Sequence, residues 1–399
     1  MDESTGIARY RTFLAVPHTR SLFGWALLAR MPLGMAPLAL LLLLRAQGAS
    51  YAAAGAVVAA YGLALAGGAL VSGRLIDRRG PVRVLTSRAL AYPACFSVVV
   101  ALALADAPIF TIGVAAAAAG ALIPPVSSSV RSIWPQMLPT ELRSTAYSLE
   151  AAFQEIIFVI GPLLAGALSA IEPSLAVAVT GAATLVGTLG LVRLEPIRQA
   201  GSGTTSGGGL LGALEAPGLR TLVVYAFAIG VGFGAIEVTM PAFAEGQGAR
   251  ELGALALAAF SAGSMVGGLL AGGLAGGDDR LRLLRYSPLL GLSLLVFQAA
   301  WSIPSLCVLA FLAGLPIAPT IAAVYGLIDK VAPSWAVAES FSWFGTSVAL
   351  GIAIGTAVGG SFVDGAGIGW ALAVGPLVAL VGAAVVIARR DTLRARVAT

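Results

Sequence analysis

Twelve apolar segments, each long enough to cross a lipid bilayer, recur along the 399-residue chain and limit what it can fold into. A spanning helix needs about 20 predominantly apolar residues. Within hydrocarbon every backbone N–H and C=O must be satisfied inside the segment, which leaves helices as the natural solution for separate apolar runs. The first six runs lie near Ser21–Leu44, Tyr51–Gly73, Val84–Ala105, Ile109–Val130, Thr145–Ile171 and Ser174–Leu194. The second six lie near Thr221–Ala244, Leu252–Gly276, Leu283–Ile303, Ser305–Ile328, Val337–Val363 and Gly367–Ala388. Polar punctuation separates most of them, least clearly at Pro304-Ser305 between spans 9 and 10. Only 11% of the residues are charged, against about 25% in soluble domains. An all-α membrane protein follows, with no polar stretch long enough for a soluble catalytic domain.

The basic residues set the orientation. With the N-terminus in the cytoplasm, 21 of the 24 Arg and Lys residues fall on the inner side, Arg45 and Arg250 fall outside, and Arg30 lies within span 1. Such asymmetry marks cytoplasmic loops. Both termini are therefore expected inside, with an even number of spans. The net charge of +5 is topology and calls for no nucleic-acid partner. The single lysine, Lys330, is not part of a GxxxxGK[ST] sequence, which excludes a pump carrying its own P-loop. With one histidine (His18) and two distant cysteines (Cys95 and Cys307) in apolar runs, no metal site or cofactor is expected. The first eighteen residues are polar and basic and do not read as a cleaved signal peptide.

Residues 1–194 and 220–399 each hold six spans, joined at 195–219 by a connector containing the flexible run Gly201-Ser-Gly-Thr-Thr-Ser-Gly-Gly-Gly209. A weak internal repeat follows spans 2 and 8, where Gly67 to Arg83 parallels Gly267 to Arg282. Two homologous halves imply alternating access about a central site.

After span 2 stands Gly73-Arg-Leu-Ile-Asp77-Arg78-Arg79-Gly80-Pro-Val-Arg83. It resembles the loop signature G-x-L-x-D-R-x-G-R-[RK] of the major facilitator superfamily: Gly73, Leu75, Asp77, Arg78 and Gly80 match. Pro81 and Val82 depart from it, and Arg83 stands in for the missing basic residue. With twelve spans divided six and six, the resemblance covers the whole chain and says nothing of substrate. It implies a loop that latches the two halves on the cytoplasmic side in the outward-facing state; plain topology is the alternative. The glycines at 73 and 80 suit a short reversal, and Asp77 needs an arginine or a helix N-terminus as partner. In span 5, Gly161-Pro162-Leu-Leu-Ala-Gly166 is similar to the Gly-Pro signature of the antiporter branch, with Ile157 and Ala165 replacing two glycines. The resemblance implies export; simple helix packing is the alternative, as for Gly351-x-x-x-Gly355-x-x-x-Gly359 in span 11.

Ionisable residues at membrane depth mark a site or ion path by default. Counted from the expected span starts, Arg30 lies about 14 Å and Glu155 about 15 Å deep, level with one another. A fixed Arg30–Glu155 pair and a pair that opens on protonation or anion binding both fit. Glu150, about 140° around the helix from Glu155, shares a face with Gln154. It is a cavity group or, by preference, a snorkelling residue at the inner interface. In span 7, Glu237 follows Gly230-x-Gly232-x-Gly234, glycines that suit a gating bend; it is a proton carrier or an acid at the outer mouth. Glu339 and Asp329 read as interface or latch charges. Tyr61, Tyr225, Tyr325, Trp343 and Phe344 line a cavity or pack, and Trp134, Trp335 and Trp370 read as interface anchors.

The expected protein is a monomeric secondary transporter of the cell (inner or plasma) membrane. It would export a small, partly apolar organic compound in exchange for protons, the proton gradient being its energy source. Proton-coupled uptake of an organic acid, with Arg30 holding its carboxylate, is one alternative. A non-transporting membrane receptor or scaffold is another.

Overall fold

The structure, a computed structural model, describes residues 6–49, 51–200, 212–248, 253–274 and 278–394. The Gly201–Gly209 run and Arg250 lie outside the described residues. All the regular secondary structure among the described residues is helical. A short amphipathic helix, α1 (Ile7–Ala15), precedes the first span, which is α2 (Thr19–Arg30) followed by α3 (Pro32–Ala46). Then come α4 (Tyr51–Arg79), α5 (Pro81–Leu104), α6 (Ile109–Leu122), α7 (Val126–Met137), α8 (Thr140–Ile171), α9 (Pro173–Val192) and the one-turn α10 (Glu195–Gln199). The second set comprises α11 (Pro217–Gly246), α12 (Gly253–Gly273), α13 (Asp279–Leu294), α14 (Ile303–Gly314), α15 (Ile317–Val331), α16 (Val337–Gly365) and α17 (Ile368–Ala388). Eleven spans among the described residues are long and apolar enough to cross a membrane. The expected ninth span is α13, which carries Asp279, Arg280, Arg282 and Arg285 in its first turns and tightens into a 3₁₀ turn at Leu295–Ala299.

Three spans are broken at mid-depth, each beside proline: span 1 at Met31-Pro32, span 4 at Pro124-Pro125 and span 10 at Leu315-Pro316. Proline lacks an N–H and its ring clashes with the carbonyl four residues back. Such breaks are tolerated in a membrane only where protein or a cavity satisfies the freed groups. Span 4 does not end at Val130, as its apolar run suggests, but resumes as α7 and continues to Met137.

The packing repeats. Span 1 lies against spans 5 and 6, span 2 against span 4, and span 3 against span 6 (α3 on α8, α2 on α9, α4 on α6, α5 on α9). Six spans later α11 lies against α16 and α17, α12 against α14, and α13 against α17. Between the two sets, α4 and α7 meet α16, and α8 meets α12 and α15. The glycines of α11 are contact points and not a bend: α11 is continuous, and a Cβ at Gly230 or Gly234 would strike the carbonyls of Val348 and Ile352 on α16. In return Gly351 and Gly355 of α16 meet the carbonyls of Phe227 and Val231. In span 5, α8 runs through Pro162, and Gly161 lies against the backbone of Gly34, whereas Gly166 faces open space.

Candidate functional site

The deepest charges gather where the broken spans meet α8. Glu150 of α8 is fully buried and is no snorkelling residue. Its Oε1 accepts a hydrogen bond from Arg30 Nη2 at 2.5 Å and lies 3.2 Å from Arg131 Nε. Its Oε2 accepts from Trp134 Nε1 at 3.0 Å. Arg131 also donates through Nη2 to Gln154 Oε1 at 3.2 Å. Trp134 is thus no interface anchor: it is wholly enclosed, its ring stacked 5.4 Å from Phe23.

Arg30 therefore pairs with Glu150 and not with Glu155. The reason is depth. Helix α8 begins at Thr140, five residues before the apolar run. Ten residues from that start put Glu150 about 15 Å in, level with Arg30 about 16 Å into span 1. Glu155 stands further out and turns toward the second set, accepting from Ser264 Oγ of α12 at 2.8 Å.

Two guanidiniums share one carboxylate, which leaves one formal positive charge in a site where Arg30, Arg131 and Glu150 are at most 5% exposed. Nε of Arg30 and Nε of Arg131 have no hydrogen-bond partner. Buried charge is costly unless paired and hydrogen-bonded, so the cluster carries an excess positive charge at membrane depth. The Arg131 guanidinium also lies 3.9 Å over the ring of Tyr325 on α15, which ties the cluster to the second set.

Toward the side that the arginines mark as cytoplasmic, a layer of aromatic rings packs between α8, α15 and α16. Tyr147 of α8, Tyr325, Phe341 and Phe344 contact one another edge-on or tilted, with centroids 5.2–6.3 Å apart. Tyr61 and Tyr225 are buried elsewhere, Tyr61 on Tyr92 at 3.0 Å. A layer of ionic contacts follows. Arg143 of α8 meets Asp329 of α15 at 3.2 Å. Asp77, at the end of α4, accepts from the backbone N–H groups of Ala338 (3.1 Å) and Glu339 (2.9 Å), in the first turn of α16. Arg74 pairs with Glu339 at 3.0 Å, and Trp343 donates to the same carboxylate at 3.2 Å. Gly73 is helical; it is required because a side chain there would strike Ser342 and Glu339 of α16. Gly80, at φ 77°, makes the turn. Arg78 and Arg83 are exposed and have no ion pair among the described residues.

Helix α1 crosses the same mouth. Arg9 bonds Thr145 at 2.9 Å, while Tyr10 donates to the Leu269 carbonyl and Gly6 N–H to that of Gly273 at 2.9 Å. Partial burial pushes the Tyr10 phenol up to about 12.

Glu237 is exposed. It lies on α11 between the row facing α16 (Gly230, Gly234) and Phe233, which meets Phe260 of α12. It shares no contact with the Arg30 cluster, so the structure brings together Arg30, Glu150 and Gln154 and leaves Glu155 and Glu237 apart. Arg131 is the residue that sequence reasoning missed, having counted it as a loop arginine. The signal was the Pro124-Pro125 break, after which a helix resumes.

The family model described as Major Facilitator Superfamily matches residues 22–297. No curated protein sequence matches the chain. Among solved structures, the human organic anion transporter MFSD10 (TETRAN) is similar, at TM-score 0.67 and 14% identity, over 94% of this chain and 98% of that one. A bacterial homologue of the iron transporter ferroportin in an outward-facing state gives 0.73 and 16%, over 93% and 99%. The proton:xylose symporter XylE gives 0.70 and 13%, over 92% and 95%.

Proposed function

The chain belongs to the major facilitator superfamily of secondary transporters, which are not enzymes, and from that premise we propose that it carries a small organic anion together with a proton. In this reading residues 1–194 and 220–399 rock about the Arg30–Glu150–Arg131 cluster, and the inner contacts hold an outward-facing state. One observation carries it: two buried guanidiniums converge on a single carboxylate.

Glu150 and an anionic substrate compete for the same guanidiniums. A proton on Glu150 removes that competitor, so proton and anion favour each other's binding, and the coupling is reciprocal. Ligands that bind cooperatively at one site cross together, and an inward proton gradient then drives uptake. Arg131 supplies the link to opening, because an anion that draws it off the Tyr325 ring loosens the aromatic floor. Asp77, Arg74 and Arg143 act as the latch. Latch charges at the inner mouth decide which opening prevails and need no contact with substrate.

A second reading, export of a partly apolar compound in exchange for protons, is favoured by Gly161-Pro162 and by the position of Glu155 and Glu237 away from the arginines. There a proton and a cationic or neutral compound would compete, which gives exchange.

Proteoliposomes with an imposed pH gradient, offered carboxylates, neutral compounds and cations, separate the two. The first reading expects anion accumulation that follows the gradient. Glu150→Gln should abolish the dependence on the gradient while anion exchange persists, and Arg131→Gln should abolish anion transport. Anion transport indifferent to Arg131→Gln overturns it, and proton-driven extrusion of neutral or cationic compounds alone favours the second reading.

A further inference from the structure

Outside the transport path, the inner face carries an open basin of about 680 Å³ between the end of α4, the start of α5 and α10. Its lining includes Arg79, Arg83 and Arg198, one from each of these three elements, with the hydroxyls of Thr86 and Ser87. No carboxylate lines it among the described residues. Among the described residues none of the three arginine side chains has an ion pair or hydrogen bond. Glu195, the acid nearest in sequence on α10, is occupied by Gln199 Nε2 at 2.6 Å and stands 3.8 Å from His18. Arg198 is held in place because the neighbouring Ile197 is completely buried against the bundle. Gly80 and Val82 also line the basin, so the unpaired N–H groups of the first turn of α5 lie at its edge.

Three guanidiniums without counter-charge, hydroxyls and a helix N-terminus make a receptor for a phosphate group. What lies beside the basin selects the source. On α5, Arg83, Ser87, Leu90, Ala94 and Val98 recur at helical spacing and are all exposed, forming a stripe that faces lipid. Arg83 and Ser87 are the cytoplasmic end of that stripe. A molecule with its phosphate in the basin would therefore lay its hydrocarbon along Leu90 and Val98.

We infer that this basin is a binding site for an anionic phospholipid of the inner leaflet, with its phosphodiester held by Arg79, Arg83 and Arg198. The inference is independent of the transported substrate. Basic pockets between spans on the cytoplasmic side bind anionic headgroups by this chemistry.

The test is native mass spectrometry of the full-length protein released from bilayers of mixed phosphatidylglycerol and phosphatidylcholine. Wild type is expected to retain phosphatidylglycerol in preference to phosphatidylcholine. Arg198→Gln and Arg79→Gln are each expected to lower that retention about fivefold, and the double variant about 25-fold. Arg285→Gln, an exposed arginine of the same face on α13, should leave it unchanged. Millimolar inorganic phosphate should fail to displace the lipid. Because the substituted residues are exposed, melting temperatures in phosphatidylcholine alone should match wild type, which separates lost binding from lost folding. Absence of preference in the wild type, equal loss in Arg285→Gln, or displacement by inorganic phosphate overturns the inference.

Discussion

Replacing Asp77 by asparagine removes one charge from the inner latch and leaves its shape. Both carboxylate oxygens accept from backbone N–H groups of the first turn of α16, at 3.1 and 2.9 Å. A hydrogen bond to a charged group contributes about 1.5–3 kcal/mol, and a negative charge at a helix N-terminus a further 0.3–1 kcal/mol or so. In Asp77→Asn one oxygen still accepts, while the new NH₂ faces a donor it cannot satisfy. The loss comes to about 3 kcal/mol, or roughly a 100-fold shift of the equilibrium away from the inner-closed state. The neighbouring Arg74–Glu339 pair compensates little, because Arg74 is 39% exposed and exposed pairs contribute at most about 1 kcal/mol. Spin labels at Gln136→Cys on α7 and Leu281→Cys on α13, with Cys95 and Cys307 changed to serine, report the inner mouth by distance distribution. The wild type should populate a short distance, and Asp77→Asn should populate a longer one to a comparable extent. If the two distributions superimpose, the Asp77 cap is not what holds the inner side closed.

Removing Glu150 leaves two guanidiniums buried without an anion, whereas removing Arg131 leaves a neutral Arg30–Glu150 pair. Thermal unfolding in detergent should therefore show Glu150→Leu destabilised by about 3–5 kcal/mol and Arg131→Gln by far less; equal losses would contradict an excess positive charge. Gly161→Ala forces a Cβ to within 2.7 Å of the Gly34 backbone and should cost about 1–3 kcal/mol. Gly166→Ala meets open space and should be neutral or gain up to about 1 kcal/mol in the same unfolding assay. The Tyr10 phenol bonds Leu269 in its neutral form, and its value is raised to about 12. Its contribution is thus complete below the ordinary tyrosine value and lost only as pH rises through about 12. Proteolytic protection of α1 should hold through pH 10 or so in the wild type and be weaker at every pH in Tyr10→Phe.

Apolar run length alone made the number and order of spans legible, because hydrocarbon leaves the backbone no other solution. The partner of Asp77 was legible in kind, since a carboxylate beside the membrane edge needs a donor, but not that the donor is α16. What failed was depth. Helix α8 starts in the polar sequence Thr140-Glu-Leu-Arg-Ser144, which no apolar count includes, and those five residues moved Glu150 from the interface to mid-membrane. The same bias hid Arg131 and Trp134. Arginine scanning for topology assigns every basic residue near a span end to a loop, and a span that resumes after Pro124-Pro125 carries its arginine inward. Gly73 and Gly230 were seen, but a glycine that serves a turn and one that serves close approach look identical until the neighbouring helix is placed.

One face of α8 joins the parts of the site. Arg143, Tyr147, Glu150 and Gln154 are spaced four, three and four residues apart, which stacks them along a single helical stripe. In order they meet Asp329, the rings of Tyr325 and Phe341, the two guanidiniums, and Arg131 again. On α15, Tyr325 and Asp329 are also four residues apart, so two facing stripes carry the aromatic floor and the ion pair. Floor and latch cannot part separately, because a shift of α8 against α15 large enough to break Arg143–Asp329 also moves Tyr147 off Tyr325. Arg131 belongs to the first set of spans yet touches both Glu150 and Tyr325. A change of charge at Glu150 therefore reaches the interface with α15 through one side chain. Desolvated cation–π contacts contribute about 2 kcal/mol, comparable to the latch bonds at Asp77. In the proposed mechanism, a proton or anion at the cluster thus acts on the same energy scale as the contacts at Asp77.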